Sequence, residues 1–176
     1  MSGTLTLALA GNPNAGKTSI FNALTGSRHH VGNWPGKTVA KMEGTFRHGD
    51  IVGRLVDLPG TYSLSALSPE EIIARDYLLG GEADAVIDVI DSTNLERNLY
   101  LTAQLAELGL PLVLALNVSD SARAHGLKID HDRLSALFGR APIVETVGHR
   151  GQGLDRLMDA ALGLVDPTRA QLRLIA

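Results

Sequence analysis

Short apolar runs alternate with amphipathic segments along most of the chain. Residues 5–10, 85–90, 112–116 and 142–145 form runs typical of buried strands. Apolar residues at helical spacing occur in 19–24, 69–79, 95–108, the broken stretch 121–138 and 154–164. Strands that alternate with helices predict right-handed crossovers and a mainly parallel sheet with helices on both faces.

One pair of strands departs from this alternation. Residues 39–47 and 51–56 are separated only by His48, Gly49 and Asp50, a turn sequence, and therefore predict an antiparallel hairpin. With the other runs, this gives an α/β three-layer fold with a mostly parallel sheet of six to seven strands.

Composition limits the possible functions. The 176 residues, 44% hydrophobic and 20% charged, fit one globular domain. A net charge of −3 provides no overall positive field for nucleic acid or an anionic membrane, so we expect no nucleic-acid partner. The chain has no cysteine, which excludes disulfides and thiolate metal sites. The N-terminus lacks the basic region of a secretory signal, and no apolar run approaches the roughly 20 residues of a membrane helix.

The most specific motif is GNPNAGKT, residues 11–18, which matches G-x-x-x-x-G-K-[ST] between a predicted strand and a predicted helix. Gly11 and Gly16 allow the loop to turn its backbone N–H groups towards phosphate oxygens. Lys17 is then expected to reach the β- and γ-phosphates, and the Thr18 hydroxyl to bind Mg²⁺. A simple turn that caps a helix is the alternative. The strand–loop–helix context favours a P-loop nucleoside triphosphate site.

Asp57-Leu58-Pro59-Gly60 follows the predicted strand 51–56. Asp57 is expected to hold a water in the Mg²⁺ shell, and the Gly60 N–H to meet the γ-phosphate until hydrolysis removes it. A Pro-Gly pair is also an ordinary turn signal. The position about forty residues after the P-loop favours the nucleotide-dependent interpretation.

Asn117-Val118-Ser119-Asp120 follows the strand 112–116. The Asp120 carboxylate can accept hydrogen bonds from guanine N1–H and the 2-amino group, a pair that adenine lacks, so we expect GTP rather than ATP. Alternatively, Ser119 or Asp120 caps the next helix. The order of the three motifs favours base recognition. Val118 stands where common guanine-binding loops carry lysine, which predicts a modest nucleotide affinity.

Three longer strings are more specific than these motifs: VGNWPGKT at 31–38, DLPGTYSLS at 57–65 followed by SPEE at 68–71, and DSTNLERNLYL at 91–101. With them, nearly the whole chain resembles the G domain of the bacterial ferrous-iron transport protein B (FeoB) family, in the TRAFAC class of GTPases. The resemblance implies a Ras-like P-loop fold. We name residues 31–38 switch I and residues 57–65 switch II.

The resemblance also implies further site residues. Thr38 would contact Mg²⁺ and the γ-phosphate, and the loop 147–149 would lie behind the base. The expected nucleotide-binding set is Gly11, Asn12, Pro13, Asn14, Ala15, Gly16, Lys17, Thr18, Ser19, Gly36, Lys37, Thr38, Asp57, Leu58, Pro59, Gly60, Asn117, Val118, Ser119, Asp120, Val147, Gly148 and His149. The expected Mg²⁺ residues are Thr18, Thr38 and, through water, Asp57.

Catalysis is expected to differ from that of Ras-like enzymes. Thr61 follows Gly60 where those enzymes place the glutamine that orients water. No residue can be identified from the sequence as an arginine finger. Arg28, just before switch I, is better explained as a surface residue. Similarity to cation-dependent relatives implies K⁺, held by the Asn14 side chain and by backbone carbonyls of Gly32 and Trp34, which would neutralise charge in the transition state. The expected catalytic residues are Asn14, Lys17, Thr38 and Gly60.

Several residues also have a purely structural interpretation, without a role in nucleotide or metal binding. Asn14 could simply stabilise the turn, and Trp34 could be an exposed aromatic or a partner contact. His29 and His30 are expected in a surface loop rather than at an iron site. Glu70 and Glu71 are expected to favour the first turn of a helix.

The resemblance implies a slow GTPase, with Mg²⁺ and K⁺ as cofactors, that regulates or drives ferrous iron uptake from the cytoplasmic side of the bacterial inner membrane. Its partners would be GTP or GDP and the membrane transport domain of the full-length protein; self-association is a further hypothesis. Residues 1–166 would form the G domain and residues 167–176 the start of a helical segment. Two alternatives stay open: a ribosome-assembly or tRNA-modification GTPase, and a GTP-binding regulatory module with negligible turnover.

Overall fold

A computed structural model of the protein describes residues 4–165. The predicted tail, 167–176, lies outside the described residues. The strands are β1 (Thr6–Gly11), β2 (His29–Asn33), β3 (Ala40–His48), β4 (Ile51–Asp57), β5 (Ala85–Asp91), β6 (Leu112–Asn117) and β7 (Ile143–Glu145). The α-helices are α1 (Lys17–Thr25), α2 (Pro69–Leu79), α3 (Leu95–Glu107), α4 (Ser119–Ala124), α5 (His131–Leu137) and α6 (Leu154–Gly163). Short 3₁₀ turns occur at Ser92–Asn94 and Gly148–Arg150.

The strands form one sheet in the order β2-β3-β4-β1-β5-β6-β7. β3 runs antiparallel to β2 and β4, and every other pair is parallel. The mostly parallel seven-stranded sheet and the hairpin at 48–51 are as predicted. Because β1, β4, β5 and β6 run in the same direction, their carboxyl ends, which carry the three motifs, meet at one edge of the sheet.

Hydrophobic residues fill both faces of the sheet. Along β1, Leu7 and Leu9 pack into a cluster with Phe21 of α1, whereas Ala8 packs into a second cluster with Leu101 of α3. All five side chains are almost completely buried. A strand with both faces covered shows a continuous apolar run instead of alternation, which explains the pattern of residues 5–10.

The edge strand β2 was not predicted from the sequence. Its residues HHVGN lack apolar alternation, and all of them are at least partly exposed. The strand forms because its backbone pairs with β3 over His29↔Gly44 to Asn33↔Ala40. The prediction that His29 and His30 lie in a loop was therefore wrong, although both are exposed as expected.

Among residues 4–165, no helix combines the length and the apolar character that a bilayer crossing requires.

A buried acid in β5 makes folding stability depend on pH. Asp88 is 1% exposed and accepts a 2.5 Å hydrogen bond from the Thr102 hydroxyl of α3. Burial raises the pKa of Asp88 to about 7, and the hydrogen bond from Thr102 opposes this rise. Between the ordinary aspartate pKa and about 7, the folded state binds a proton that the unfolded state has lost, so stability falls as the pH rises through this window.

Asp88→Asn is expected to remove this dependence because an amide keeps the shape without the charge. The free energy of unfolding of the variant, relative to the wild type, should increase by about 2 kcal/mol between pH 5 and pH 8. Urea unfolding at both pH values measures the difference. Asp50→Asn, at the exposed turn of the β3–β4 hairpin, is the matched control and should follow the wild type. An Asp88→Asn profile parallel to that of the wild type would contradict the expectation.

Candidate functional site

The phosphate-loop sequence connects β1 to α1 in a tight turn. The Ala15 N–H donates to the Asn12 carbonyl at 3.2 Å, and Asn14 has a φ of 66°. Gly16 has a φ of 95°, and a Cβ there would collide with the Asn117 side chain. Because α1 begins at Lys17, the unpaired N–H groups of its first turn face the loop. The loop therefore has the conformation and the helix end that suit a phosphate group.

Lys17 and Asp57 form an ion pair beside this loop. Lys17 Nζ lies 3.6 Å from Asp57 Oδ1, and the two side chains are 10% and 9% exposed. Burial raises the pKa of Asp57, and the charge of Lys17 opposes this rise. The buried Oδ1 atom accepts no hydrogen bond among the described residues. Thr18 directly follows Lys17, the ion-pair partner of Asp57. A hydroxyl and a buried carboxylate oxygen without a hydrogen bond are oxygen ligands of the kind that suits Mg²⁺ and its waters.

The rest of the Asp57–Gly60 motif packs directly on the phosphate loop. A Cβ at Gly60 would lie 3.1 Å from Pro13 Cα, so only glycine fits without displacing the loop. The Thr61 N–H donates to the Gly11 carbonyl at 3.2 Å, and Thr61 is 5% exposed. The structure thus brings together the first two predicted motifs, with Leu58 buried beneath them.

Asn117 connects three loops at the end of β6. Its Nδ2 atom donates to the Ala15 carbonyl at 2.9 Å. Its Oδ1 atom accepts hydrogen bonds from the Thr146 hydroxyl at 3.1 Å and the Gly148 N–H at 2.9 Å. The phosphate loop, the Asn117–Asp120 motif and the 147–149 loop are therefore adjacent. Sequence reasoning missed Thr146, whose only signal was its place at the end of the last strand.

Asp120 lies in the first turn of α4, beside the loop after β7. Its Oδ1 atom accepts the Ser121 N–H at 2.9 Å, and its Oδ2 atom lies 3.6 Å from an Arg150 nitrogen. Ser119 donates to the Thr146 carbonyl through both its N–H and its hydroxyl, at 3.2 and 3.1 Å. Val118 has a φ of 57°, an unusual conformation for a β-branched residue that sets the turn into α4. No sequence signal pointed to Arg150.

Switch I is placed apart from these three loops. Gly36, Lys37 and Thr38 are exposed in the turn between β2 and β3, and no hydrogen bond or ion pair joins them to the phosphate loop in the part of the chain described. Trp34 is 7% exposed and packs edge-on against Tyr77 of α2, with ring centroids 5.4 Å apart. The alternative of an exposed Trp34 was wrong: the indole anchors the base of switch I to α2.

Other candidates do not reach the site. Arg28 follows the C-terminal end of α1, whereas the phosphate loop meets the N-terminal end. Across residues 4–165, no group of three histidine or acidic side chains could hold a metal ion. Ser68 caps α2 by accepting the Glu71 N–H at 3.1 Å, so the acidic first turn is structural, as predicted.

A phosphate loop between β1 and α1, an aspartate at the end of β4 and a polar loop after β6 define a P-loop GTPase G domain of the Ras-like kind. A family model for ferrous iron transport protein B matches residues 5–161. The chain therefore belongs to the FeoB family and corresponds to its N-terminal G domain. This assignment decides against the ribosome-assembly or tRNA-modification alternative.

Individual relatives agree with the family model. The chain is 54% identical over 159 residues to an Fe(2+) transport protein A/Fe(2+) transporter FeoB fusion protein of Porphyromonas gingivalis, covering 90% of this chain and 19% of that protein. It is 52% identical to the Fe(2+) transporter FeoB of Escherichia coli K12, covering 87% and 20%. The chain thus spans about a fifth of the length of these curated relatives.

Solved structures show the same fold. A GDP-bound mutant of S. thermophilus NFeoB superposes with a TM-score of 0.86 at 46% identity, covering 94% of this chain and 64% of that one. The G domain of the T. maritima FeoB iron transporter gives a TM-score of 0.83 at 46% identity, covering 91% and 98%.

Proposed function

We propose that this chain binds and hydrolyses GTP as the G domain of a ferrous iron transporter, at the cytoplasmic side of the bacterial inner membrane, where it regulates or drives iron uptake. The observation that carries the proposal is the Asn117 side chain, which joins the phosphate loop to the base-side loops in one site. The names of the relatives support the iron and membrane parts, which belong to a longer protein than this chain.

The chemistry assigned to the chain's own residues is positioning and charge stabilisation. The N–H groups of the phosphate loop and the Lys17 ammonium would hold the β- and γ-phosphates, and Asp120 would select guanine. The Gly60 N–H would donate to a γ-phosphate oxygen, since Gly60 packs closely on Pro13 of the phosphate loop. Water then attacks the γ-phosphorus, the bond to the bridging oxygen breaks, and GDP and phosphate leave. Loss of the γ-phosphate would release Thr38 and Gly60, and with them both switches.

The residues present fit Mg²⁺. Thr18 would bind it directly, Asp57 through water, and Thr38 directly once switch I moves to the phosphate loop. When bound, Mg²⁺ neutralises charge on the phosphate oxygens. The role of Asp57 is supported by its buried Oδ1 atom, which lies 3.6 Å from the Lys17 ammonium and accepts no hydrogen bond within the described part of the chain.

A K⁺ ion beside the phosphate loop is a further part of the proposal, and it requires switch I to move towards Asn14. The exposed Asn14 side chain makes no hydrogen bond within residues 4–165 and is free to act as a ligand. The Trp34 carbonyl accepts the Lys37 N–H at 2.9 Å, which leaves a second lone pair for a cation. Gly32, in β2, would supply the other carbonyl.

We expect GTP hydrolysis to be about tenfold faster in K⁺ than in Na⁺, and Asn14→Ala to abolish the difference, because the cation offsets charge in the transition state. Phosphate release in matched chloride salts measures both rates. Asn22→Ala, an exposed position on α1, is the control and should keep the K⁺ preference. Equal wild-type rates in the two salts would refute the K⁺ site.

A GTP-binding switch with negligible turnover remains a second candidate. Thr61 favours it, because this side chain is 5% exposed and too short to orient a water as the usual glutamine does. Single-turnover hydrolysis in K⁺, together with the affinities for GTP and GDP, separates the two. Turnover slower than nucleotide release would identify the binding module.

A further inference from the structure

Switch II rests on one face of α3. Arg97 and Gln104 both contact it, and their spacing of seven residues, about two helical turns, places them in line on the helix. Arg97 lies within the family-specific string 91–101, and Gln104 lies three residues after its end. Neither residue has a role in the nucleotide site described above.

Arg97 holds Tyr62, the second residue after Gly60. The Arg97 guanidinium lies 4.3 Å from the centre of the Tyr62 ring, a cation–π contact. Arg97 forms no ion pair among the described residues, so the aromatic ring is its charge partner. Its backbone carbonyl accepts a 3.4 Å hydrogen bond from Asn12 Nδ2 in the phosphate loop. One residue of α3 thus contacts the phosphate loop and switch II together.

A small polar cavity lies between these elements. It has a volume of about 130 Å³, and Asn12, Asn14, Tyr62 and Arg97 contribute to its wall. Asn12 is 3% exposed. The cavity shows that the Arg97–Tyr62 contact borders the loop that holds Asn14, the proposed cation ligand, rather than a remote part of the surface.

Gln104 holds switch II two residues further along. Its Oε1 atom accepts the Leu64 N–H at 2.7 Å, and the Leu64 side chain is 8% exposed. On the other side, Glu71 accepts the Ser63 hydroxyl at 2.7 Å. Each residue from 61 to 64 is therefore held by a neighbouring element: Thr61 by the phosphate loop, Tyr62 and Leu64 by α3, and Ser63 by α2.

We propose that Arg97 and Gln104 are positioning residues for hydrolysis: α3 holds Tyr62 and Leu64, and thereby fixes the Gly60–Thr61 backbone against the phosphate loop. The proposal rests on the GTPase function proposed above. An exposed cation–π contact corresponds to a two- to fivefold effect, so Arg97→Ala should lower kcat by about that factor and leave KM unchanged. Gln104→Ala should lower kcat by about fivefold or more, since a partly buried N–H loses its acceptor.

A set of matched variants tests the contact itself. Arg97→Lys keeps a cation above the ring and should retain most of the activity, and Tyr62→Phe keeps the ring and should behave as the wild type. Tyr62→Ala should match Arg97→Ala, and the double variant should lose no more than either alone. Additive losses in the double variant, or an unchanged kcat in Arg97→Ala, would overturn the proposal.

Amide hydrogen exchange provides a readout that does not require hydrolysis. In Arg97→Ala and Gln104→Ala, exchange across residues 61–65 should accelerate by about two- to fivefold, while β1 and β5 keep their protection. If the wild type fails to hydrolyse GTP but this acceleration occurs, α3 does hold switch II and the GTPase proposal is wrong. If exchange in switch II is unchanged, the proposal that Arg97 and Gln104 fix switch II is wrong, whatever the GTPase activity.

Discussion

Lys17→Ala should lower kcat/KM for GTP hydrolysis by about 10³-fold, because the phosphate oxygens lose the only cation that the phosphate loop itself supplies. The Lys17 side chain is 10% exposed, so little water is available to replace its charge. Binding of GDP should weaken less than hydrolysis, since the N–H groups of the loop remain. Phosphate release under saturating and limiting GTP measures both parameters.

The same substitution leaves Asp57 buried without its cation, so loss of folding must be separated from loss of chemistry. Urea unfolding of Lys17→Ala, and of a Lys17→Ala/Asp57→Asn double variant that removes the unpaired charge, makes that separation. Lys128→Ala, an exposed lysine after α4, is the charge-matched control and should keep full activity. A folded Lys17→Ala protein within tenfold of the wild-type kcat/KM would refute the assigned role.

The sequence predicted correctly those structural elements that depend on short stretches of consecutive residues. The phosphate loop, the hairpin at 48–51 and the helix behind Ser68 each depend on a few consecutive residues with restricted backbone conformations. Six of the seven strands of the sheet followed from the alternation of these elements. Parallel strands bring distant motifs to one edge, so the convergence of Lys17, Asp57 and Asn117 could also be expected.

Features that depend on tertiary contacts were not predictable in the same way. β2 is a strand only because β3 pairs with it, and its own residues carry no strand pattern. Thr146 contacts Asn117, 29 positions earlier in the chain, and Arg97 contacts Tyr62, 35 positions earlier. A polar residue at a strand end and an arginine on a helix are both common without any such contact, so neither residue type indicated its role. The burial of Trp34 depends on Tyr77, which no local pattern indicates.

The base-side geometry points to a specific change in nucleotide preference. Asp120 Oδ1 accepts the Ser121 N–H at 2.9 Å. Among residues 4–165, Oδ2 has only the Arg150 guanidinium as a partner, 3.6 Å away. In Asp120→Asn the amide oxygen can keep the bond to Ser121, so the amide nitrogen takes the position of Oδ2. A donor then replaces an acceptor at the base.

Asp120→Asn should therefore weaken GTP binding by about 10³-fold and favour xanthosine triphosphate, which presents a carbonyl where guanine presents its 2-amino group. Competition binding with the two nucleotides gives the ratio directly, and Asp132→Asn, exposed in the first turn of α5, should leave it unchanged. If Asp120 only caps α4, the variant loses little GTP affinity, since asparagine caps as well as aspartate. Loss of GTP binding without any gain for xanthosine triphosphate would show instead that the residue supports the loop and does not select the base.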